Sequence, residues 1–96
     1  MYIKFNHNAL SGLEKIFTES KYILRYEKGT FNSGYCILED KKVVVVNKFL
    51  NLEGKINTIL DIIPQLNINF DNLTLESQKL FTEIIDNQIA GNKLLH

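Results

Sequence analysis

The chain has 96 residues, 45% of them hydrophobic and 23% charged, a balance that suits one soluble globular domain over residues 1–96 and falls below the size at which a second core is expected. Eleven basic and eleven acidic side chains cancel, so no long-range field steers a nucleic acid or an anionic membrane toward the protein. A single cysteine, Cys36, excludes an intramolecular disulfide and any cysteine-based zinc site built from one chain.

From the N-terminus, Ser11 followed three residues later by Glu14 has the spacing of a capping box, and Asn8 is a second candidate cap, so a helix is expected to start there. Leu10, Leu13, Ile16 and Phe17 recur at helical spacing, with Glu14, Lys15 and Glu19 on the other face. From Tyr22 the period changes to two: Tyr22, Leu24 and Tyr26 alternate with Ile23, Arg25 and Glu27, as in a half-buried strand. A loop punctuated by Gly29 and Gly34 leads to a second strand, Tyr35 to Glu39. Asp40 and Lys41 turn the chain into Val43–Val46, whose continuous β-branched run predicts a strand covered on both faces, or nearly so. Three sequential strands with short connections read as an antiparallel meander.

Asn51 is placed to cap a second helix in which Leu52, Ile56, Ile59, Leu60 and Ile63 form the apolar stripe, and Pro64 must end or kink it near Ile63. Asn67 to Asn72 is a polar connection whose Ile68 and Phe70 are expected to lie over the core. Thr74 caps a third helix with Leu80, Phe81, Ile84, Ile85 and Ile89 as its buried stripe, and Gly91 is placed to end it. The expected architecture is α+β, a three-stranded antiparallel meander packed against helices in the order α-β-β-β-α-α.

No constellation in the sequence supports catalysis. His7 and His96 stand at opposite ends of the chain, and neither has a metal-ligating partner at helical spacing, so no catalytic residue, metal or cofactor is expected. Cys36 has no local group that would lower its pKa and reads as a small core residue of its strand. Gly29 and Gly34 match neither a phosphate-binding loop nor a dinucleotide fingerprint, since the segment joins two strands. Phe31 at its tip either folds back on the core or meets a partner. Asn47 and Lys48 leave the valine strand just before the second helix, where backbone N–H groups and a lysine could hold an anion or a peptide carboxylate; a solvated turn is the plain alternative. Lys21, Arg25 and Lys28 are accompanied by Glu19 and Glu27, and lysine outnumbers arginine ten to one, so nucleic acid is not an expected partner. The same lysine bias, with abundant asparagine and isoleucine, points to an AT-rich bacterial genome.

The stretch from Tyr26 to Leu60, with RYEKGTFNSGYCILEDKKVVVVNKF and LEGKINTIL, resembles short uncharacterised bacterial proteins with a Gly-Tyr-Cys strand and a valine-rich strand ending in Asn-Lys. That resemblance implies no particular activity. Over about half the chain, the order helix, three strands, helix is more distantly similar to the N-terminal part of the ImmA/IrrE-type zinc peptidases. Their His-Glu-x-x-His motif is replaced here by Asp61-Ile62-Ile63-Pro64-Gln65, so the resemblance implies a relative without zinc ligands or a water-activating glutamate.

These readings converge on a non-enzymatic cytoplasmic protein-interaction module that takes a protein partner or a second copy of itself. The alternative is a small enzyme or ligand-binding protein using the 29–36 loop and Lys48. Phe31, Tyr35, Cys36, Asn47 and Lys48 are the candidate ligand or partner residues. No membrane association is expected: the first twelve residues carry one lysine and no signal-like apolar run, and no uninterrupted apolar run is longer than the four residues of Val43–Val46.

Overall fold

The structure, a computed structural model, describes residues 4–29 and 34–94, with side chains as far as residue 87. The first helix, α1 (His7–Glu19), starts before either expected cap: Asn6, in extended conformation, accepts the Ala9 N–H at 2.8 Å. Asn8, Ser11 and Glu14 therefore lie inside the helix. Leu13, Ile16 and Phe17 are its buried side chains. Its end is a Schellman turn in which the Tyr22 N–H reaches the Phe17 carbonyl at 2.9 Å and the Lys21 N–H reaches that of Thr18 at 3.1 Å. Lys21 takes the left-handed conformation this turn requires, φ 65°, and Tyr22 and Phe17 close it as a buried apolar pair.

Three strands follow, β1 (Ile23–Glu27), β2 (Tyr35–Leu38) and β3 (Val43–Asn47). They do not form a meander. The sheet order is β1-β3-β2, with β3 antiparallel to β2 but parallel to β1, so the sheet is mixed. The β2–β3 turn is tight: a 3-10 turn at Glu39–Lys41, then Lys42 in the left-handed region at φ 53°. The β1–β2 connection is longer. The strand ends it joins, Glu27 and Tyr35, stand about two strand spacings apart, roughly 10 Å, so β2 pairs on the far side of β3 and leaves the central place to the valine strand. A strand made of Val43–Val46 gains most from neighbours on both edges, and that burial, rather than chain order, sets the pairing.

Asn51 caps α2 (Leu52–Ile62), accepting the Gly54 N–H at 2.7 Å. Pro64 falls in the 3-10 turn Ile63–Gln65 that ends the helix, as its missing donor demands. The buried stripe of α2 is Ile56, Ile59 and Ile62, continued by Ile63; Leu52 and Leu60 pack at its margin. In the connection, Asn67 N–H donates to the Tyr22 hydroxyl at 3.1 Å and Ile68 packs against the core. Phe70 is more exposed than expected, and its ring meets Phe81 with centroids 6.3 Å apart.

The last helix, α3 (Leu75–Leu94), runs through Gly91 instead of ending there. One glycine inside a helix costs about 1 kcal/mol, which does not by itself stop it. Ile84 is buried, Leu80 and Phe81 are partly buried against the core, and the side chain of Ile89 lies outside the described residues. α1 packs on β1, α2 on β3, and α3 against α1. A single cluster of apolar side chains joins all three helices to one face of the sheet.

Candidate interaction surface

Alternation along each strand divides the sheet into two unlike faces. Leu24 and Tyr26 of β1, Val44 and Val46 of β3, and Tyr35 and Ile37 of β2 point to the helices and join the core. The opposite phase carries Ile23, Arg25 and Glu27, then Val43, Val45 and Asn47, then Cys36 and Leu38. No helix in the described residues packs on that second face. Ile23 is 55% exposed and Leu38 43% exposed, while Val43 and Val45 are half-buried. The valine strand is thus covered by helices on one face only, contrary to the expectation from its composition.

Strand register turns these residues into cross-strand rows. Leu38, Val43 and Ile23 form an apolar row at one end, and Cys36, Val45 and Arg25 form the next. Glu27 beside Asn47 makes a polar margin. Arg25 Nε and a Glu27 carboxylate oxygen lie 3.0 Å apart in an exposed ion pair along the β1 edge. Three strands of about five residues give a flat face of roughly 240 Å². Its centre is apolar and its charges stand at one side.

The expected site residues do not converge. Phe31 lies outside the described residues. Tyr35 is on the helix-facing side, where its hydroxyl accepts from Gln65 Nε2 at 2.9 Å. Cys36, next in sequence, points the other way; it is a free, half-buried thiol on the open face, not the core residue expected of it. Asn47 and Lys48 are held by their own turn. The Asn47 side chain accepts the Phe49 N–H at 3.0 Å, its backbone N–H donates to Gly34 at 2.9 Å, and the Lys48 N–H donates to Glu27 at 3.1 Å. The Lys48 ammonium rests over the Phe49 ring, 5.3 Å from its centroid. The backbone donors that an anion would need at this corner are therefore already engaged.

Two carboxylates that the sequence places on the solvent face of α1 instead tie elements together. Glu14 accepts the Tyr26 hydroxyl at 2.5 Å, and Lys55 of α2 lies 5.1 Å from the centroid of the same ring. Burial, then the hydrogen bond to Glu14 and its charge, push the Tyr26 phenol well above its ordinary range. Glu19 reaches α3: one carboxylate oxygen accepts the Thr74 N–H at 3.0 Å and both lie 3.3 Å from the Thr74 hydroxyl. Partial desolvation acts against the Glu19 charge, but hydrogen bonds from Thr74 and Ser77, with nearby Lys15, outweigh it and hold the pKa below 4.5.

A groove of about 380 Å³ runs between α1 and α3, floored by Ala9, Leu13 and Leu80 and rimmed by Lys15, Lys79 and Glu83. Its rim mixes both charges and selects no ligand class. Among the described residues, no group of three or more His, Cys, Asp or Glu side chains is placed to hold a metal, and no helix is long and apolar enough to cross a membrane.

The residues that sequence reading passed over are Ile23, Leu38, Val43 and Val45. Their signal was present: β2 and β3 are apolar in both phases, and Ile23 interrupts the polar phase of β1. No protein family, curated protein or solved structure matches the chain.

Proposed function

We propose that this protein is a non-enzymatic protein-interaction module whose docking surface is the helix-free face of its sheet. The observation that supports this reading is that face itself: Ile23, Leu38, Val43 and Val45 form a contiguous apolar patch while the helices all serve the other side. A flat apolar centre flanked by a charged pair is the anatomy of a protein contact, whereas a substrate site gathers polar groups in a concavity. For the alternative, a small enzyme or ligand-binding protein using the 29–36 loop and Lys48, the Asn47–Lys48 corner offers an anion no open backbone donor, since those N–H groups bond within the turn. The reading places the protein in the cytoplasm, where a half-exposed lone thiol such as Cys36 stays reduced.

Site-specific photo-crosslinking in living cells tests this proposal. A photoreactive residue at Leu38 should yield a discrete adduct with another protein, and one at Asn57, on the exposed side of α2, should not. No adduct from Leu38, or equal labelling from both positions, would overturn it.

A further inference from the structure

We infer that β1 is also a self-pairing edge, joining two copies of the chain in one register about a two-fold axis through Tyr26. This deepens the interaction reading, on which it rests, by naming a second copy as one partner.

Among the described residues β1 is an edge strand, since the sheet order gives it β3 on one side and no strand on the other. The Ile23 N–H donates to Lys42 at 2.8 Å and the Glu27 carbonyl accepts from Lys48 at 3.1 Å, so residues 23, 25 and 27 direct their backbone groups into the sheet. Leu24 and Tyr26 therefore direct theirs outward, along the open edge. An antiparallel copy can bond to these groups only in registers that face outward residues with outward residues, which removes every odd shift.

Charge selects among the remaining registers. With Tyr26 opposite Tyr26 of the partner subunit, Arg25 stands opposite the partner's Glu27 and Glu27 opposite the partner's Arg25, in non-hydrogen-bonded positions where side chains approach most closely. A shift of two residues one way opposes arginine to arginine; the other way opposes glutamate to glutamate. The segment Arg25-Tyr26-Glu27 is thus complementary to itself in one register and repulsive in its neighbours. It also lacks a proline or an inward-pointing charge that would deter pairing.

The axis of such a pair is perpendicular to the sheet, so both open faces end on the same side. Together they make one six-stranded face of roughly 480 Å², with Arg25 and Glu27 of both copies along its middle and an apolar patch on either side. Stacking two open faces against each other would instead bury far less than the roughly 800 Å² per partner of a standard interface. The edge pair is accordingly the self-contact that charge complementarity specifies.

Sedimentation velocity on R25E, on E27R and on their equimolar mixture tests the inference. Wild type should show a reversible monomer–dimer equilibrium in the micromolar range. Each variant alone should weaken it at least about tenfold, since two attractive cross-strand pairs become two repulsive ones. The mixture should restore dimer, because the carboxylate introduced by R25E then faces the guanidinium introduced by E27R. Both side chains are about half exposed or more, and unchanged circular dichroism verifies folding; R25Q and E27Q serve if either charge reversal fails to fold. Monomeric wild type at about 500 µM, or a dimer that neither reversal weakens, overturns the inference. Monomeric protein that still gives the Leu38 adduct removes the dimer and leaves the docking face, whereas a charge-dependent dimer without that adduct does the reverse.

Discussion

Replacing Glu19 by glutamine should destabilise the protein at neutral pH and have no effect in acid. Glu19 closes the last turn of α1, where a negative charge meets the unfavourable end of its own helix dipole, yet its carboxylate sits against the first turn of α3. There it accepts the Thr74 N–H and hydroxyl, and the Ser77 N–H bonds in turn to the Thr74 oxygen at 3.3 Å. Charge-assisted hydrogen bonds of this kind contribute up to about 3 kcal/mol when buried, but exposure of this carboxylate reduces the expected loss to about 1 kcal/mol. With an unfolding entropy of about 2.1 cal/mol/K per residue, that corresponds to a fall in Tm of about 5 °C for a chain of this length. Because the folded pKa lies below 4.5, the contribution is complete above the unfolded pKa and is lost as pH falls through the folded value. Thermal unfolding of wild type and Glu19→Gln across pH 7 to 2.5 should therefore show two curves that are parallel above about pH 5 and converge below it. A gap that persists or widens toward pH 2.5, or no gap at pH 7, would show that the Glu19 charge does not hold α3.

Three further substitutions probe the fold and its open face. Lys21→Gly should stabilise by roughly 0.5–1 kcal/mol in urea unfolding, because Lys21 holds φ 65° at the Schellman turn and glycine adopts it without a steric penalty; a loss of stability would show that its side chain matters more than its backbone. Ile59→Ala should cost about 2–5 kcal/mol as a fully buried residue, whereas Leu38→Ser should cost under about 0.5 kcal/mol, since Leu38 lies on the helix-free face; equal losses would mean that the face is covered. Cys36 should react with a thiol reagent in native protein at a rate that low urea leaves unchanged, and labelling gated by global unfolding would place it in a core.

Local chemistry was legible where one residue decides the outcome. Asn51 and Thr74 stand at the helix starts expected of them, Pro64 ends α2, and Gly29 and Gly34 bracket a long connection. The first helix start was missed because Asn6, Asn8 and Ser11 are all competent caps, and the choice depends on which lets Leu13, Ile16 and Phe17 meet the sheet. Of the site, the two-phase apolar pattern of β2 and β3 was visible, but nothing local says which phase the helices cover.

Residue spacing was enough to set the main element types and the amphipathic stripes of the helices. Packing settled the rest. Strand order depended on which strand gains most from two neighbours, and the valine strand took the centre against chain order. Cys36 became a face residue and Tyr35 a helix-side residue through a register that their adjacency in sequence does not specify. Glu19, unfavourable at the end of its own helix, became favourable at the start of another 55 residues away, an electrostatic relation that exists only once both helices are packed.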